Sequence, residues 1–144
     1  MLTLRRLDVD EARILIEGAA AKARELGIPM CIAVTDESGH LIKFERMNGG
    51  KISSISIAID KASTGAVARN GTHVYNQLCV PGNPTFGIHI SNGGHFSIIG
   101  GGLPVFVDGE IVGGVGVSSG TAEQDRICAE AAIQHFYGVS GKQA

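Results

Sequence analysis

The sequence has few aromatic residues, no tryptophan, no long apolar run and no cluster of basic residues. Its 12 lysines and arginines are balanced by 14 acidic residues, which gives a net charge of −2 at pH 7. Because phosphate binding requires a concentrated basic surface, nucleic acid is not an expected partner. A membrane span requires about 20 consecutive apolar residues, and neither such a run nor a signal-peptide pattern occurs. We therefore expect a cytoplasmic protein that binds neither nucleic acid nor membrane.

Sequence patterns that mark several kinds of chemistry are also absent. The five histidines show no zinc-binding spacing, and neither a phosphate-binding P-loop nor a GxSxG nucleophile motif occurs. The cysteines are odd in number and scattered, so they indicate no disulfide framework. We interpret them as small buried hydrophobic residues rather than as reactive thiols. They are Cys31, Cys79 and Cys128.

Glycine, in contrast, is abundant, with 21 residues of 144. The glycines are clustered rather than periodic, which indicates turns and close approaches of the main chain. Gly100-Gly101-Gly102 lacks the lysine of a phosphate-binding loop and is better explained by strand bending or close packing. The chain length fits one domain that spans residues 1–144.

Capping boxes mark the first and last helices. Asp8 and Glu11 have the spacing of a capping box, and Gly27 is expected to end that helix. The last helix is predicted to begin at Thr121, which has a glutamine three residues later, and to end at Gly138. Residues 51–70 alternate partly like a strand, but their length and the Asn-Gly that follows favour a helix.

Two hairpins are predicted between these helices. Their four strands cover Met30–Thr35, His40–Arg46, Val105–Val107 and Ile111–Val117. Asp108-Gly109 is typical of a two-residue type I′ turn. The return strand places Gly114 and Gly116 on one face, where a helix or another backbone is able to approach closely.

The central part of the chain, residues 72–94, is the least regular. We predict a short helical turn over Val74–Leu78, extended structure over Thr85–Ile90 and a further strand over Phe96–Ile99. Long irregular segments of this kind are commonly functional loops. Hairpins rather than strand–helix alternation imply an α+β fold, an antiparallel sheet with helices packed on its faces.

Three segments of the sequence resemble a known family. They are IAVTDESGHLIKFERMNGG (residues 32–50), the helix that contains Ala58, Asp60, Lys61 and Ala62, and GGGLPVFVDGEIVGGVGVSSGTAEQDRICAEAA (residues 100–132). Their order and spacing are similar to those of the GlcG/HbpS-like haem-binding proteins, which include the C-terminal domain of the corrinoid adenosyltransferase PduO. The sequence departs from the family pattern at Asn48, at Ser119 and throughout residues 72–95.

The resemblance implies a profilin-like fold around a five-stranded antiparallel sheet and assembly into dimers or larger rings. It also implies haem as the cofactor, with haem breakdown claimed for some members. Candidate axial ligands of the iron lie in the central region and are His73, His89 and His95. We expect propionates to pair with basic side chains, the candidates being Arg46, Lys61 and Arg69. Met47 and Cys79 are further candidate ligands.

The leading hypothesis is therefore a haem-binding accessory protein that handles or degrades haem. The alternative is an enzyme or accessory factor in small-molecule catabolism, associated with a cobalamin-dependent diol or glycerol dehydratase. A third interpretation is a structural oligomer without a cofactor.

Overall fold

Capping chemistry fixes the positions of the two longest helices in the computed structural model, which describes residues 1–144. The Asp8 carboxylate accepts from the Glu11 N–H and Glu11 binds the Asp8 N–H, so both halves of the predicted capping box form. The helices are α1 (Val9–Leu26), α2 (Ser54–Ala68), α3 (Thr72–Leu78) and α4 (Ala122–Ser140). The strands are β1 (Cys31–Asp36), β2 (Leu41–Arg46), β3 (Gly102–Val107) and β4 (Glu110–Ser118).

The strands form one antiparallel sheet in the order β2-β1-β4-β3. Both predicted hairpins are confirmed. In the β3–β4 turn, Asp108 has φ 51° and Gly109 has φ 79°, the two positive values that a type I′ turn requires. Helices α1 and α4 pack on one face of the sheet against Ile32 and Val34, and α2 packs on the other against Ala33. No helix of the protein is both long and apolar enough to cross a membrane.

The expected five-stranded, profilin-like sheet is wrong, because the sheet has four strands. The predicted fifth strand, Phe96–Ile99, joins no ladder. Instead, a side chain of α2 binds its main chain: the Thr64 hydroxyl donates to the His95 carbonyl at 3.3 Å and accepts from the Ser97 N–H at 2.9 Å. The apolar pattern alone did not distinguish this side-chain anchoring from strand pairing.

Two further local predictions are wrong because short-range bonds replace the expected structure. Residues 85–90 were expected to be extended, but they form turns and a 3-10 helix (Ile88–Ile90), closed by bonds such as Ile90 N–H to Gly87 C=O. Helix α4 passes Gly138 and ends at Gly141, which has φ 71° and donates to the Tyr137 carbonyl. Gly141 therefore supplies the left-handed cap that was assigned to Gly138.

The glycines of β3 and β4 place α2 in direct contact with the sheet. A Cβ atom on Gly114 would lie 2.1 Å from the Ala62 carbonyl oxygen, and one on Gly116 would lie 2.2 Å from that of Ala58. Gly102 faces the Lys61 carbonyl oxygen in the same way, at 2.2 Å. These distances leave no room for a side chain, which confirms the close packing expected of the glycine face.

We expect Gly116→Ala to destabilise the protein, because its methyl group would overlap the main chain of α2. Overpacking of this kind costs about 1–3 kcal/mol, measured as a loss in the free energy of unfolding in urea. Gly138→Ala is the matched control, since that helical position has no heavy atom within 4 Å of the added Cβ. The control should gain about 0.5–1 kcal/mol. Equal stability of the two variants would contradict the contact between α2 and β4.

Candidate functional site

A cleft opens between the exposed side of α2 and the segment 88–99. It consists of two cavities that share Asp60 and His95 as a common wall. The larger cavity, about 500 Å³, is lined by polar groups of the β1–β2 turn, including His40, and by α2. The smaller one, about 230 Å³, is lined by His89 and by apolar side chains of the segment 96–99. We refer to both cavities together as the α2 cleft.

Asp60 orients the imidazole of His95. The His95 Nδ1 and Asp60 Oδ1 atoms are 3.0 Å apart, and the His95 side chain is 70% exposed. Because a carboxylate accepts hydrogen bonds, the neutral imidazole in this contact carries its proton on Nδ1, which leaves the Nε2 lone pair free. A carboxylate that holds a histidine in this way is the usual support of a metal-binding imidazole.

Helix α2 also binds the main chain at His95 and Ser97. These contacts come from Thr64, four residues after Asp60 and one helical turn along α2. The next side chain, Phe96, is 8% exposed, and its ring meets that of Tyr75 on α3 edge to face at 4.9 Å. One turn of α2 therefore positions His95 through both its side chain and its backbone.

His89 is the second of the predicted histidines in the cleft. Its Nδ1 atom lies 3.3 Å from the sulfur of Cys79, at the end of α3, and both residues remain accessible. His89 and His95 line the same smaller cavity. The structure therefore brings together two of the three histidines that the sequence proposed as metal ligands.

His73 lies elsewhere, in the first turn of α3. Its ring covers Gly71, where an added Cβ would be 2.3 Å from the His73 Cε1 atom. The Nδ1 atom is buried and has no hydrogen-bond partner. Burial, with a contribution from the Arg126 charge, lowers the pKa of His73 below its ordinary value, so the ring is neutral at pH 7. Without a partner on Nδ1, this imidazole lacks the support that His95 receives from Asp60.

The residues proposed for propionate binding are not brought together. Arg46 is the last residue of β2 and pairs with Cys31, whereas Arg69 follows the end of α2 and lines a separate cavity of about 280 Å³. Met47 is half-buried and its sulfur accepts from the Met30 N–H at 3.4 Å. Neither arginine is among the residues that line the α2 cleft, and Met47 is part of the packing around β1.

Lys61 is buried, with 1% of its side chain exposed. Its ammonium donates to the Asp125 carboxylate at 2.8 Å and to the Val117 carbonyl at 3.0 Å, and Gly120 N–H occupies the other Asp125 oxygen at 2.9 Å. Burial lowers the pKa of Lys61 and the contact with Asp125 opposes that shift. The expectation that Lys61 pairs with a propionate does not fit this environment, because the ammonium is enclosed and already paired.

Sequence reasoning missed the contributions of Asp60 and Thr64. A signal for both was present, because polar side chains at positions 60, 63 and 64 recur at helical spacing in a mostly apolar helix. Residues three and four apart lie on the same side of a helix. Such a polar stripe on a packing helix indicates a second contact surface, although it does not reveal which segment binds there.

A family model described as "Haem degrading protein HbpS-like" matches residues 7–134 of the chain. Among curated proteins, the 15.0 kDa protein of the dhaT–dhaS intergenic region of Citrobacter freundii is 38% identical over 125 residues, which cover 87% of this chain and 88% of that protein. Corrinoid adenosyltransferase PduO of the same organism is 32% identical over 127 residues. These cover 88% of this chain and 38% of the adenosyltransferase, so most of that enzyme has no counterpart here.

Solved structures resemble the fold over nearly its whole length. Klebsiella pneumoniae protein ORFY superimposes with a TM-score of 0.92 at 30% identity, covering 94% of both chains. The structure described as a PduOC:heme complex superimposes with a TM-score of 0.86 at 28% identity, covering 90% of this chain and 94% of the other.

We expect Lys61→Met to be strongly destabilising, because it leaves the Asp125 carboxylate buried without a counter-charge. Removal of one partner of a buried ion pair costs about 3–5 kcal/mol, measured by urea unfolding monitored by circular dichroism. Adding Asp125→Asn removes the unpaired charge and retains an oxygen for the Gly120 N–H. The double variant should therefore be more stable than Lys61→Met alone. If the two changes instead destabilise additively, the pair makes no specific contribution.

Proposed function

The chain belongs to the HbpS-like family of haem-degrading proteins, and we propose that it is a haem-binding accessory protein with its ligand in the α2 cleft. The match to the family model and the 38% identity to the Citrobacter freundii protein confirm the resemblance drawn from the sequence motifs. Haem is named both in the description of the family and in that of the PduOC structure. The assignment of individual residues to haem binding is our proposal for this chain.

The observation that carries the proposal is the hydrogen bond between His95 and Asp60. In the neutral ring, this bond leaves the Nε2 lone pair of an accessible imidazole free to bind a metal. Neutral imidazole is a common ligand of haem iron. The Asp60 carboxylate fixes the orientation of the ring. We therefore propose that His95 would hold the haem iron and that Asp60 positions His95.

The surroundings of His95 suit an apolar macrocycle with polar edges. Ile57 and Ile99 are 37% and 47% exposed, and both line the smaller cavity with Phe96. These side chains would bury apolar surface of the ligand, which is favourable at about 25 cal/mol per Å².

Haem, when bound, supplies an iron centre whose reactivity is set by its axial ligand and by nearby hydrogen-bond donors. His40 and His89 supply such donors in the cleft. Propionate binding by Arg46 and Arg69 stays a prediction.

A second candidate function is the role of accessory factor in small-molecule catabolism. The description of the Citrobacter freundii relative, which lies between dhaT and dhaS, favours it. So does the larger cavity, whose polar lining of Ser38, His40, Ser63 and Asn92 suits a small hydroxylated molecule. Saturable binding of a short diol, measured by calorimetry in the absence of haem, would favour this function.

A cytoplasmic location stays a prediction. It is supported by the three cysteines, none of which forms a disulfide.

The haem proposal predicts that hemin titrated into the wild type gives a saturable Soret change. His95→Ala should shift the band and weaken binding, because the axial donor is lost. Asp60→Asn should weaken binding by about 10- to 100-fold through loss of the supporting carboxylate. His73→Ala is the matched control and should bind as the wild type does.

No saturable change in the wild type would refute haem binding. Wild-type behaviour of His95→Ala would move the ligand to His89, Met47 or Cys79.

Assembly into a homo-oligomer is a separate part of the proposal. The segment beside the cleft exposes apolar side chains, with Phe86 at 58% and Ile90 at 74%. The two side chains line one surface cavity together, and apolar groups exposed side by side on a small domain are expected to lie in a subunit interface.

We expect light scattering at micromolar concentration to give a multiple of the 14.9 kDa chain mass. Phe86→Asp combined with Ile90→Asp should lower that mass, because burying two charges at an interface is unfavourable. Leu2→Asp, at a residue that is 90% exposed near the N-terminus, is the control and should leave the mass unchanged. A wild-type mass of 14.9 kDa would refute the assembly.

A further inference from the structure

Cys79 differs from the other two cysteines in its accessibility. Cys31 and Cys128 are completely buried, whereas Cys79 is partly exposed. Burial raises the pKa of the Cys31 thiol, and it raises that of Cys128 to about 11. Since the thiolate is the reactive form, these two residues fit the sequence interpretation of inert buried cysteines. Cys79 does not fit it.

Cys79 also has a base within hydrogen-bonding distance. The chain leaves α3 at Cys79, turns through residues 80–88 and returns to place the His89 Nδ1 atom 3.3 Å from the Cys79 sulfur. The turn is held at its base by the Thr85 hydroxyl, which donates to the Leu78 carbonyl at 2.9 Å. Neither the thiol nor the imidazole has any other side-chain hydrogen-bond partner. A thiol beside an imidazole is the arrangement that generates a nucleophilic thiolate.

We propose that Cys79 is a modification site that reacts with low-molecular-weight disulfides, with His89 as the acceptor of the thiol proton. The His89 imidazole takes the proton, and the Cys79 sulfur attacks one sulfur of the disulfide. The disulfide bond breaks as the new sulfur–sulfur bond forms, and the departing thiolate takes the proton from His89. One disulfide and one protein thiol thus give one mixed disulfide and one small thiol, so electrons and protons balance.

The modification is coupled to the α2 cleft through His89. That residue contacts Cys79 through Nδ1 and lines the smaller cavity together with His95. Formation of the mixed disulfide removes the S–H group and places a bulky substituent against the ring of His89. The modified protein therefore presents a different cavity wall to any ligand, although the reactivity of Cys79 does not depend on the identity of that ligand.

The test measures the reaction of the ligand-free protein with oxidised glutathione and with dithiobis(nitrobenzoate) at pH 7, followed by mass spectrometry of its peptides. In the native wild type, one thiol per chain should react quickly, and it should map to Cys79. Cys79→Ser should abolish this fast reaction. His89→Ala should slow it by about tenfold or more through loss of the proton acceptor. His135→Ala, which removes an exposed imidazole far along α4, should leave the rate unchanged.

His89→Ala also separates a base from a mere neighbour. If His89 only shields the sulfur, its truncation opens access and the reaction becomes faster. A rate that is unchanged or increased in His89→Ala would overturn the proposal, as would modification at Cys31 or Cys128 in place of Cys79. None of these outcomes depends on haem binding, so the proposal and the haem function fail or succeed separately.

Discussion

Helix α2 lies so close to β3 and β4 that its carbonyl oxygens meet the main chain of the sheet. Gly114 and Gly116 permit this contact, since a Cβ at either position would fall within 2.2 Å of a helix carbonyl oxygen. The reciprocal contact involves Gly65 of α2, where a Cβ would lie 2.7 Å from the Leu103 carbonyl carbon. Protein interiors are packed too densely to absorb such an overlap. The distance between α2 and the sheet therefore depends on these glycines, and so do the contacts that α2 makes on both of its sides.

The buried pair of Lys61 and Asp125 follows from that depth. Because α2 touches the sheet, the Lys61 side chain reaches the end of β4 and the first turn of α4 instead of solvent. Gly101 lies against the same pair, and a Cβ there would be 3.0 Å from the Lys61 ammonium. A buried pair stabilises the fold only when its geometry and remaining hydrogen bonds are satisfied, and here Gly120 and Val117 satisfy them. Lys61 thus joins α2, β4 and α4, and it is unavailable to a ligand.

The other side of α2 organises the region proposed to bind a ligand. Asp60 and Thr64 are one helical turn apart, and together they hold the side chain and main chain of His95. The central segment itself has little regular structure, so it depends on these contacts and on the packing of Phe96 against Tyr75. Function commonly resides on loops supported by a rigid element in this way. One helix therefore combines a face that packs on the sheet with a face that holds the segment proposed to bind a ligand.

The sequence by itself determined the elements whose signals are local. The capping boxes at Asp8 and Thr121 and the Asp108-Gly109 turn depend on residues within one turn of each other, and all three form as predicted. The family was also readable, because its motifs keep their order along the chain. The tertiary structure decided which side chains meet across long separations. Lys61 and Asp125 are 64 positions apart, and Asp60 and His95 are 35 apart. Nothing in the local pattern distinguishes the buried Lys61 from an exposed lysine, or an anchored segment at residues 96–99 from a fifth strand. Those outcomes depend on how closely α2 approaches the sheet, a distance set by glycines that lie about 50 residues further along the chain.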